Sequence, residues 1–123
     1  MAEQPNLPSP EAVIRSKDFI SRYTNYIQFD ARVLDVKIIF GQDDQREGKN
    51  IAELHTSMTM TWAEAKLLLL LLQIQVIVHE FQEGKINIPP SLLPNIPQPD
   101  QISDPNIREL FQVIHTKLAQ ILA

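Results

Sequence analysis

The sequence predicts an α+β fold: an antiparallel sheet of at least three strands with one long helix packed on it, followed by a C-terminal amphipathic helix. Three observations carry this. Residues 33–40 alternate, with Leu34, Val36, Ile38 and Phe40 set against Val33, Asp35, Lys37 and Ile39. Thr61-Trp62-Ala63-Glu64 has the form of a capping box, and Gly84 ends the apolar helical stretch that it opens. Ile107, Phe111, Ile114, Leu118 and Ile121 then recur at spacings of four and three, the period of one helical stripe.

Each element has its own signal. Residues 1–8 are polar and proline-rich and are expected to be flexible. Ser9-Pro10-Glu11 resembles a helix start, with Val13, Ile14 and Phe19 as a short stripe. Residues 22–29, rich in Tyr, Thr, Ile and Phe, predict a first strand, and Asp30-Ala31 a tight turn. The alternating run at 33–40 is the second strand, with Leu34, Val36, Ile38 and Phe40 facing the core. Residues 41–50 are polar and predict a loop too long for a two-residue hairpin. Residues 51–60 predict a third strand, with Ala52, Leu54, Met58 and Met60 on one face and Glu53, His55, Ser57 and Thr59 on the other. The prolines at 89, 90, 94, 97 and 99 predict an extended connector, and Asp104-Pro105 starts the last helix. The chain therefore divides into an N-terminal segment (1–21), a core domain (22–88), a Pro-rich connector (89–104) and a C-terminal helix (105–123).

Composition excludes several classes of chemistry. The chain has 123 residues, 44% of them hydrophobic and 21% charged, which suits one ordinary domain. The net charge of -4 disfavours binding to nucleic acid by phosphate neutralisation. A nucleic-acid role would need a local stripe such as Arg15, Lys17, Arg22 and Arg32. With no cysteine there is no disulfide, thiolate nucleophile or Cys-ligated metal, and a cytoplasmic location is expected. No basic region precedes an apolar stretch at the start, so no signal peptide is expected. Three glycines, Gly41, Gly48 and Gly84, cannot build a phosphate-binding loop. No cofactor is expected. The most apolar window, 67–78, is shorter than a membrane span and predicts a buried helix.

The middle of the chain resembles an uncharacterised bacterial and archaeal family, domain of unknown function 3467. The resemblance rests on Tyr23-Thr24-Asn25-Tyr26, the strand ending Phe40-Gly41, residues 55–60, Ala65-Lys66-Leu67-Leu68, and Gly84 before Lys85-Ile86. It covers roughly residues 22–88 and implies the order strands then helix. It implies no catalytic residue. Trp62 stands where such sequences often have proline, and the leucine run replaces a helix that is usually more charged.

Few residues suggest chemistry. His79 and Glu83, at i and i+4, could join a third ligand on a metal, or form a solvated pair at a helix C-terminus. His55 beside Ser57 and Thr59 could serve a small enzyme or ligand-binding site, but no acid is placed to orient it. Asp30, Asp35, Asp43, Asp44 and Glu47 lack a calcium-loop pattern. Trp62 could pack on a strand end or be a recognition anchor. The leucine run says more. Ala63, Leu67, Leu70, Leu71, Ile74, Val78 and Phe81 form one helical face, expected against the sheet. Leu68, Leu69, Leu72 and Val76 then ask for a second cover, supplied by Ile107, Phe111, Ile114, Leu118 and Ile121 of the same chain or of a neighbour. The expected function is a non-enzymatic protein-interaction or assembly module whose partner is a second copy or another protein. Binding of apolar client segments is a further alternative.

Overall fold

The computed structural model describes residues 10–123. Three strands, β1 (Tyr26–Ala31), β2 (Asp35–Arg46) and β3 (Lys49–Thr61), form an antiparallel sheet in the order β1-β2-β3. Helix α1 (Trp62–Glu83) follows β3 directly, and α2 (Pro105–Leu122) ends the chain. The α+β class is therefore as the sequence predicts. The chain forms two compact units, one through His79 and one from Glu80 onward.

The segment after Pro10 is not helical. Ser9 lies outside the described residues, as do the expected flexible residues 1–8. Val13 and Ile14 are exposed, and a helix this short needs a packed face to offset its nucleation cost. A turn at Ser16 replaces it, closed by the Phe19 N–H donating to the Ser16 carbonyl at 3.1 Å.

Both hairpins turn elsewhere than the sequence suggests. β1 runs through Asp30 and Ala31, and the chain reverses over Arg32, Val33 and Leu34. The Arg32 N–H donates to the Asp35 carbonyl at 2.9 Å, and the Trp62 indole N–H donates to the Arg32 carbonyl at 2.9 Å. Leu34, expected in the core, is 82% exposed in this turn. The alternation holds from Val36 onward: Val36 is 3% exposed and Ile38 8%. At the other end, the expected loop over 41–50 is a long polar hairpin arm. Glu47 (φ 53°) and Gly48 (φ 74°) make a two-residue turn between Arg46 and its partner Lys49. Two successive positive φ values match the right-handed twist of the strands.

A β-bulge reorganises β3. Phe40 pairs with Thr56 but Gly41 pairs with Leu54, so His55 is the extra residue. Direct partners share a face. Met58 and Met60 oppose Ile38 and Val36, on the apolar face that β1 completes with Ile27 and Phe29. Beyond the bulge the alternation slips by one. Leu54 and Ala52 oppose Gly41 and Asp43, on the same face as Ser57 and Thr59. Their expected place beside the methionines is corrected by this single extra residue.

The helix ends are set by their capping residues. The Glu64 N–H donates to the Thr61 hydroxyl at 3.2 Å, and that hydroxyl donates to the Glu64 carboxylate at 3.0 Å. The carboxylate thus takes the hydroxyl proton, where the capping box predicted the Thr61 N–H. Gly84 (φ 101°) ends α1, its N–H bonded to the Glu80 carbonyl at 2.9 Å. The Asp104 carboxylate caps α2, accepting from the N–H of Asn106 at 2.9 Å and of Ile107 at 3.5 Å. In the same unit, Arg108 donates to the carbonyls of Ile102 and Ser103, and the His115 ring bonds the Pro97 carbonyl at 2.8 Å. These bonds tie the proline-rich connector to α2.

Gly41 is the residue the bulge cannot exchange. A Cβ there would sit 2.6 Å from the Glu53 carbonyl oxygen, a backbone atom with little freedom to move. Gly41→Ala is expected to destabilise the fold by about 1–3 kcal/mol, as for other overpacked sites, measured by urea unfolding. An unchanged midpoint would contradict this account of the bulge.

Candidate functional site

His55 sits at the bulge, and its ring is engaged on both sides. Nε2 lies 3.0 Å from the Tyr23 carbonyl, and Nδ1 lies 2.8 Å from the Thr56 hydroxyl. A carbonyl only accepts, so Nε2 carries a proton, and in the neutral ring the Nδ1 lone pair faces the Thr56 hydroxyl. The imagined partner, Ser57, is not the hydroxyl it meets. The open depression beside the ring is lined by Lys37, Ile39, Leu54, His55, Thr56 and Ser57, with no carboxylate among them. Nδ1 thus faces the Thr56 hydroxyl while the Tyr23 carbonyl orients the ring, but no carboxylate lines the depression to stabilise a protonated imidazole as a triad acid does.

What the cluster does is hold the chain before β1. The Thr24 hydroxyl lies 2.8 Å from the Gly41 carbonyl, which also accepts from the Asn25 N–H at 3.2 Å. The Asn25 side chain pairs with the backbone of Asp43 in both directions. Its Oδ1 accepts the Asp43 N–H at 2.6 Å, and its Nδ2 donates to the Asp43 carbonyl at 3.1 Å. Asn25 thus imitates one more rung of the ladder. Tyr23, Thr24, Asn25, Gly41 and His55 form one latch around the bulge. Sequence reasoning noted these residues but missed their connection. A lone glycine inside an alternating strand was the available signal, because it marks a bulge or a close backbone approach.

The other titratable residues are spread out. His79 and Glu83 lie on α1, and no cluster of three His, Cys, Asp or Glu side chains suited to a metal occurs among the described residues. Arg32 lies 3.7 Å from Asp30 and 3.6 Å from Asp35, across the first turn. On the polar hairpin arm, Arg46 bonds Asp44 at 3.0 Å and also the Glu53 carboxylate. The Arg46 hydrogen bond holds the Glu53 carboxyl below its ordinary value, and Glu53 and Asp44 together raise that of Arg46.

The leucine run leaves much of its apolar surface exposed. No residue of α1 is buried, which corrects the buried helix that the sequence predicts: its apolar residues exceed what the described residues cover. Its partly shielded stripe is Ala65, Leu68, Leu71, Ile74, Gln75 and Val78. Leu68, expected on the second face, belongs to this stripe, whereas Leu67, Leu70 and Phe81, expected against the sheet, are exposed. Leu69 (61% exposed), Leu72 (54%) and Val76 are exposed, as are Leu70 and Ile77. On α2, Phe111, Ile114 and Leu118 are partly shielded, while Ile107 and Ile121 are exposed. By length and composition α1 could cross a membrane. Between Lys66 and Glu80, however, it rises about 20 Å, short of the roughly 30 Å hydrocarbon core.

The Glu53–Arg46 pair gives a pH expectation. A carboxyl with a lowered folded value contributes stability above its unfolded value and loses it as pH falls through the folded one. The Glu53 midpoint, followed by carboxyl NMR, is expected below about 4.3, the unperturbed Glu value. Arg46→Gln should move it upward, and an unmoved midpoint would remove the pair from the account.

No family model, characterised protein or solved structure matches this chain.

Proposed function

We propose that this chain is a non-enzymatic assembly module that works as a homo-oligomer, with a homodimer as the smallest form. The observation supporting this reading is the open face of α1, formed by Leu69, Leu72 and Val76 with Leu70 and Ile77 beside them. Burying one leucine is worth about 1.5–3 kcal/mol, so several left in water forgo a large part of a domain's net stability. The apolar residues of α2 that remain exposed, Ile107 and Ile121, belong to the proposed contact surface. So do Phe111, Ile114 and Leu118. A cytoplasmic setting is part of the proposal, and a cysteine-free chain is compatible with it.

The enzyme reading has less support, because no carboxylate lines the open depression beside His55. Sedimentation velocity over a dilution series tests the proposal. The chain is expected to sediment as a dimer or larger form at micromolar concentration. Leu69→Glu with Leu72→Glu should weaken association at least tenfold, about 1.4 kcal/mol. A wild-type chain that is monomeric across the series would contradict the proposal.

A further inference from the structure

We infer that residues 56–60 of β3 pair antiparallel with the same residues of a second copy, Met58 opposite Met58. Two three-stranded sheets would then join into one of six strands, about a two-fold axis normal to the sheet. The inference rests on the homo-oligomer reading and specifies its surface.

β3 is an edge strand, and its outer backbone groups have no partner among the described residues. Such an edge is a template for another strand unless charge, proline or brevity blunts it. The first half of β3 carries Lys49, Glu53 and the bulge at His55, but past the bulge neither charge nor proline blunts the edge. β3 spans 13 residues, and the stretch after the bulge reads Thr-Ser-Met-Thr-Met-Thr, without charge, proline or glycine. It therefore brings no like charges together on pairing with itself. The opposite edge is different. β1 is latched at its start through Thr24 and Asn25 and carries the Asp30–Arg32 ion pair at its end.

Symmetry selects a second copy as the occupant. A two-fold axis normal to the sheet keeps each face on its own side, so Met58 and Met60 of both copies extend one apolar face around Val36 and Ile38. On the polar face, Ser57 of each copy opposes Thr59 of the other. Met58 is 55% exposed at this edge, and an added strand would cover it. Because α1 begins at the residue after β3, the same axis also relates the two leucine-rich helices.

The chain has no cysteine, so single cysteines report the geometry without background. Thr59→Cys should be cross-linked to its copy by a short bismaleimide, since the two Cα atoms would lie within about 9 Å. Gln28→Cys, on the same face of β1, should not be, because the β1 strands would lie about 24 Å apart. The expected yield at Thr59→Cys is at least tenfold that at Gln28→Cys. Ser57→Cys repeats the measurement should Thr59→Cys fail to fold, as judged by circular dichroism. Equal yields at positions 28 and 59 would overturn the inference. A sedimenting dimer without cross-linking at 57 or 59 would overturn the edge pairing and leave the oligomer standing. A monomer would overturn both.

Discussion

A three-stranded sheet offers a helix one narrow apolar face, and this chain asks it to accommodate a helix that is apolar around most of its circumference. Val36 and Ile38, on the central strand, are the buried hydrophobic residues among those described. Ile27 and Phe29 on one side and Met58 on the other remain open. A helix with leucines at every position from 67 to 72 has neighbours of each shielded residue pointing the other way. The sheet cannot reach them, whatever the rotation of the helix about its axis. That geometric limit is why the assembly reading depends on α1.

The bulge at His55 sets how the sheet meets this demand. One extra residue divides β3 into two stretches with opposite facing. The stretch after the bulge places its methionines beside Val36 and Ile38. The stretch before it joins the polar hairpin arm, where Arg46 spans Asp44 and Glu53. The arm is exposed on both faces, so its charges stay hydrated and its ion pairs contribute little. The bulge also gives His55 its role. The ring bonds the Tyr23 carbonyl and fixes the chain entering the sheet.

Much of this was legible in the residues, where the signal is local. Thr61 with Glu64, Gly84 and Asp104-Pro105 act within a few residues of themselves, and each helix end lies where its capping residue puts it. The alternation of Val36, Ile38 and Phe40 was equally plain. What could not be read locally depends on register. Strand residues 42–46 are polar on both faces, so no period marks them, and only pairing with β3 makes them a strand. The places of Leu54 and Ala52 follow from a one-residue slip that no pattern within β3 records. The start at Pro10 fails for the opposite reason, a good local signal with nothing to pack against. At the site, His55 and the Tyr23–Asn25 stretch were visible singly, but their convergence needed the fold. On the helix the need for a second cover was legible, while its facing shifted: Leu68 is shielded and Leu70 open.

The central claim is that the open leucines of α1 are covered in the assembled protein. The direct measurement is methyl NMR of the full chain at micromolar concentration with a soluble paramagnetic agent. Leu34, in the first turn and 82% exposed, serves as the internal standard for an uncovered methyl. The account predicts that the methyl signals of Leu69, Leu72 and Val76 are attenuated far less than those of Leu34. Attenuation equal to that of Leu34 would contradict it.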